Sequence, residues 1–140
     1  MSGYRVLPHV ADVILEAWAP GRLACFEAAI TGLVATFADA GDARPDRDVS
    51  FTVAAAADVD LLVLLLEEVI FLVDAEGRVP VAATVVAADG GLRGTFATVA
   101  TERVEATGAL PKGVSRSEAE FACDDDAGRP RWRCRVTVDV

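Results

Sequence analysis

Apolar and polar residues alternate most cleanly near the C-terminal end of the chain. Trp132, Cys134, Val136 and Val138 take every second position, with Arg131, Arg133, Arg135, Thr137 and Asp139 between them. A period of two puts these sets on opposite faces of a β-strand. Asp139 therefore falls on the polar face. Asp12 to Trp18 shows the same period: Val13, Leu15 and Ala17 point one way, and Asp12, Ile14, Glu16 and Trp18 the other. Pro20-Gly21 then breaks the run. Leu23, Phe26, Ile30, Leu33, Val34 and Phe37 recur at spacings of three and four, which predicts an amphipathic helix. Gly41 follows soon after its expected end, where chain reversal favours glycine.

The polar stretch 42–48, with Pro45, reads as a loop, and Val49, Phe51 and Val53 alternate as a strand. Asp58 is a suitable N-cap for a Leu-rich helix from Val59 to about Val73. This helix is apolar on most sides, which predicts a central position, and Asp74 to Gly77 form its exit. Pro80–Ala88 and Leu92–Thr101 flank Asp89-Gly90-Gly91, a strong hairpin signal. Pro111-Lys112-Gly113 precedes a further strand, Val114–Cys123, and Asp124–Gly128 reads as the loop before the last strand. No element is assigned to Met1–Pro8. Consecutive hairpins and two helices predict one α+β layered domain over residues 1–140: a mixed, mostly antiparallel sheet covered by two main helices.

Composition narrows the function classes. The 140 residues suit one domain, and 53% hydrophobic residues supply an ample core. The longest apolar run, Leu61–Leu66, is too short to span a membrane, and Met1–Val6 lacks the apolar stretch of a signal peptide. The expected setting is cytoplasmic. A net charge of −9 argues against direct nucleic-acid binding by the surface as a whole, while permitting cations or a basic protein partner. Cys25, Cys123 and Cys134 form no Cys-x-x-Cys pair, so free thiols are expected. Cys123 and Cys134 flank one hairpin loop, where they could lie close.

His9, Asp12, Asp139 and the carboxylate of Val140 are the groups that carry candidate chemistry. If the first and last strands are neighbours, they form one acidic pocket. Hard cations take several oxygens at once, and two carboxylates with a main-chain carboxylate supply them. The bland alternative is a pair of solvated strand-end acids. His9, the only histidine, has no Ser or Cys in a nucleophile motif beside it, so an orienting role outranks catalysis. Asp124–Asp126 is no EF-hand, because the closing position of such a loop falls on Arg135. Lys112 is the only lysine, a point charge suited to phosphate or carboxylate.

These features together resemble the archease family, small proteins that assist the tRNA-splicing RNA ligase of the RtcB type. His9-Val10-Ala11-Asp12 is similar to the family's His-Thr-Ala-Asp box, with Val10 in place of Thr. Phe26-Glu27-Ala28-Ala29 resembles the first helix. Leu61 to Leu72 followed by Asp74 resembles the Leu-rich helix. Lys112-Gly113-Val114-Ser115 is similar to Lys-Ala-Val-Thr, but Arg116-Ser117 replaces the Tyr-His that follows. The resemblance implies an accessory role, not an enzyme: promotion of ligase guanylylation and turnover. It implies a divalent-cation site, Ca2+ the first choice, at Asp12, Asp139 and Val140, with Lys112 functionally important. The alternatives are a small metal-dependent hydrolase, with His9 as its base, and a chaperone-like interaction module without chemistry.

Overall fold

The computed structural model describes residues 1–8 and 12–140. In chain order the elements are β1 (Gly3–Pro8), β2 (Asp12–Ala19), α1 (Arg22–Ala35), β3 (Ala38–Asp39), β4 (Arg47–Ala54), α2 (Asp58–Glu76), β5 (Arg78–Ala88) and β6 (Gly91–Ala100). A 3-10 turn over Thr101–Arg103 follows, then β7 (Glu105–Ala106), β8 (Gly113–Asp126) and β9 (Arg129–Asp139). The class is α+β, and every strand pairing among the described residues is antiparallel.

The expected single sheet is divided. A four-stranded sheet has the order β1-β2-β9-β8, a three-stranded sheet the order β4-β6-β5, and β3 pairs with β7. Both helices touch both larger sheets: α1 packs on β1, β2 and β9 of the first and β5 of the second, and α2 on β8 of the first and β4 and β5 of the second. The helices therefore form a layer between two sheets, which is why α2 is apolar on most sides. Leu61, Leu62, Leu65, Leu66 and Val69 of α2 are essentially inaccessible to solvent. Each such side chain contributes about 1.5–3 kcal/mol of burial. From the first sheet, Leu15, Ala17 and Ala19 meet the helices beside Cys134, Val136 and Val138. Phe26 of α1 stacks on Phe121 of β8, with ring centroids 4.3 Å apart.

Several local expectations change. Met1–Pro8 contains β1, an edge strand whose Tyr4 and Val6 stay 41% and 38% exposed, so its apolar signal is weak. Asp58 is the first helical residue of α2, not its cap; Ala57 takes the cap position, and the Asp58 carboxylate accepts from Arg22 Nη2 at 2.7 Å. α1 ends at Ala35, and Gly41 turns the chain after β3 rather than closing the helix. Gly77 closes α2 with φ +63, a left-handed conformation that suits glycine. The acids 124–126 belong to β8, and the hairpin turn shrinks to Ala127-Gly128, both with positive φ. Cys123 lies opposite Trp132, while Cys134 is buried beside Cys25 of α1, whose Sγ donates to the Ala17 carbonyl at 3.9 Å. The neighbouring Cys25 thiol and burial push the Cys134 thiol far above its ordinary value.

Candidate functional site

β9 is flanked by β2 on one side and β8 on the other, so its polar face has neighbours in both directions. The register sets Asp12 directly opposite Asp139, and Gly113 of β8 opposite Asp139 on the other side. Residues directly opposite in an antiparallel pair project to the same face, with Cβ atoms about 4.5–5.5 Å apart. Asp12, Asp139 and Gly113 thus form one row across three strands. Two residues further along the strands, the next row on this face holds Ile14, Thr137 and Ser115. Val138, between these rows on β9, is fully buried and anchors the strand end from the other face.

Lys112 joins the row through its backbone. Its N–H donates to the Asp139 carbonyl at 2.7 Å, continuing the β8–β9 ladder by one bond. Pro111 before it is buried, and the Lys112 side chain is exposed. Gly113 keeps the flank of Asp139 low: a Cβ built there comes within 3.8 Å of Asp139 Oδ2. The Val140 side chain packs against the core, which holds its main chain next to Asp139.

The structure therefore brings Asp12, Asp139, Lys112 and Val140 to one corner of the four-stranded sheet. His9 lies outside the described residues. Sequence reasoning missed Gly113; the signal was the period of two running back from Val114, which needs the β8–β9 register to be read. The pair Arg116-Ser117 falls in an irregular stretch of β8 where pairing skips from Ser115 to Glu120. There Arg116 Nε reaches Asp60 of α2 at 2.5 Å.

The donor chemistry at this corner suits a hard cation. Like charges set directly opposite on a sheet repel, and a cation between two carboxylates relieves that repulsion with the oxygen ligands that Ca2+ or Mg2+ prefers. Among the described residues no group of three or more His, Cys, Asp or Glu side chains could hold a metal. Two carboxylates alone would be a partial shell for such an ion, which main-chain oxygen and water would have to complete. Further along the same face the charge changes sign: Arg135, Arg133 and Arg131 follow one another on β9.

Known proteins share this architecture and this sequence pattern. The sequence model of the Archease protein family (MTH1598/TM1083) matches residues 4–140. The chain belongs to the archease family. "Probable protein archease" from two strains of Mycobacterium tuberculosis, CDC 1551 / Oshkosh and H37Rv, is 43% identical over 139 residues, covering 99% of this chain and 75% of the relative. The solution structure of Methanobacterium thermoautotrophicum protein 1598 superposes with a TM-score of 0.74 at 20% identity, covering 99% of each chain. That likeness supports the two-helix, mostly antiparallel fold. Among the described residues no helix is long and apolar enough to cross a membrane.

Proposed function

We propose that this protein is an accessory factor of an RtcB-type RNA ligase, promoting its guanylylation and turnover, and that it carries a divalent-cation site formed by Asp12, Asp139 and Val140. Membership of the archease family supports an accessory role in tRNA-splicing ligation in general. The observation that carries the finer reading is the register pair Asp12–Asp139 with the Lys112 amide bound to the Asp139 carbonyl. The two carboxylates and a main-chain oxygen of Val140 would hold the ion, with Ca2+ the first candidate. A bound divalent ion supplies positive charge that can offset charge on a phosphoryl group. The chain's own residues do the rest. Two strands fix the carboxylates on one face, Gly113 leaves their flank low, and Lys112 offers an ammonium group to phosphate. The corner is exposed at a sheet end, so it can approach the ligase's nucleotide site without rearrangement of the core.

The test is ligase guanylylation with and without the protein, using Asp12→Ala and Asp139→Ala beside the wild type. Stimulation should be lost in both variants while their melting temperatures in EDTA stay close to that of the wild type, since surface substitutions usually change stability by about 0.5 kcal/mol or less. Full stimulation by both folded variants contradicts the proposal.

A further inference from the structure

The acidic corner occupies one end of the exposed face of the four-stranded sheet, and the rest of that face is chemically different. A depression there is lined by Arg5, Arg131, Arg133, Arg135, Trp18 and the acids Glu16 and Glu120. Four guanidiniums thus share one depression with an indole in a chain whose net charge is −9. The whole-chain charge averages this patch away.

The geometry of the patch is specific. The Trp18 ring has the Arg5 guanidinium 5.3 Å and the Arg131 guanidinium 5.6 Å from its centroid, both within cation–π range. The indole lies over Gly3, where a Cβ would approach the ring to 2.5 Å, so the edge strand leaves room for it. Arg131, Arg133 and Arg135 lie two residues apart on β9, a row with a repeat of about 6.8 Å. Three acids pair with Arg5, Arg133 and Arg135, so the depression keeps a small net positive charge, with Arg131 outside these pairs. Glu16 bridges Arg5 and Arg135 at 3.5 Å each, and Arg133 contacts Asp124 at 2.6 Å and Glu120 at 3.3 Å. Each guanidinium carries five N–H donors, and these contacts use one or two of them. Arg131 has no carboxylate partner among the described residues.

We propose that this face binds a short stretch of single-stranded RNA, with phosphates along the Arg131–Arg135 row and a base stacked at Trp18 and Arg131. A row of guanidiniums follows a polyanionic backbone, and an aromatic or guanidinium plane accepts any base. The choice of RNA over other polyanions rests on the ligase reading; the binding itself does not need the ligase. The guanidinium–phosphate contacts make the interaction salt-sensitive, and the acids beside them keep its affinity moderate.

The experiment is fluorescence anisotropy of a labelled oligouridine with the full chain at low salt. Saturable binding that weakens as salt rises is expected. Arg131→Glu should weaken it at least about tenfold, the scale of one lost charge-assisted contact, and Arg131→Gln should weaken it less. Arg93→Glu, on the exposed side of the other large sheet, should leave it unchanged. Circular dichroism melts confirm that each variant is folded. No binding at low salt overturns the proposal, as does an equal loss with Arg93→Glu. Displacement by the same concentration of free uridine monophosphate overturns the assignment to a strand. Asp139→Ala is the separating control: it should keep RNA binding even where it abolishes ligase stimulation, so the two readings fail independently.

Discussion

Replacing Asp139 by Asn should raise stability slightly in chelator and remove stabilisation by calcium. The register sets two carboxylates on one face about 5 Å apart at Cβ. At that separation two like charges repel by about 0.8 kcal/mol in a water-like dielectric and about 3 kcal/mol at an effective dielectric of 20. Asp139 is exposed at a sheet end, so the lower figure applies. Asn keeps the shape and removes one charge, so in EDTA the variant should be more stable by up to about 1 kcal/mol. The wild type should gain about 2.7 kcal/mol when calcium exceeds its dissociation constant a hundredfold. With an unfolding entropy of about 2.1 cal/mol/K per residue, that is a rise of roughly 9 °C in melting temperature for this chain. The Asp139→Asn variant should show little of it. The assay is a pair of thermal melts, in EDTA and in millimolar calcium, for each protein. A wild-type melting temperature that calcium leaves unmoved, with magnesium and manganese equally inert, would refute the cation site. An Asp139→Asn protein that still responds fully would show that the ion binds elsewhere.

Three further outcomes test the fold away from the site. Phe26→Ala should cost about 3–5 kcal/mol in denaturant melts, because Phe26 is fully buried and stacks on Phe121 between α1 and β8. Gly77→Ala should cost about 1 kcal/mol, measured the same way, because φ +63 at the end of α2 forces the new Cβ into a left-handed conformation. Arg78 and, more weakly, Arg103 hold the Asp46 carboxyl below its ordinary value. A carboxyl with a lowered folded pKa stabilises above its unfolded value and loses that contribution as pH falls through its folded one. The stability difference between wild type and Asp46→Asn should therefore be largest near neutrality and close below about pH 4.

The parts legible in the sequence are those where one periodicity dominates. β2 and β9 alternate strictly because one face meets the helices and the other meets water, and that places Asp12 and Asp139 on polar faces. The Asp89-Gly90 hairpin follows from local turn chemistry. Alternation raises the pairing of residues 12 and 139 as a question without answering it, since a register between distant strands depends on packing that no local window contains. β1 escapes because an edge strand buries little. The division into two sheets escapes because alternation reports burial of a face, not which sheet the face belongs to. Asp58 misleads because its carboxylate is taken by Arg22 instead of capping its own helix. Val140 and Lys112 become meaningful only once β9 has neighbours on both sides.

Placing β9 between β2 and β8 has a kinetic consequence. β5, β6 and α2 are near neighbours in sequence, whereas the β2–β9 pairing joins strands from opposite ends of the chain and carries a large loop-closure cost, so we expect it to form late. The acidic corner does not exist, even approximately, in any partly folded form that lacks this step. Until then β2 offers a bare edge and residues 12 and 139 are not yet opposite one another, so an unfinished chain lacks the proposed cation site. Competence at the corner is thus a readout of completed sheet closure, and its appearance in a refolding experiment should coincide with the slowest phase.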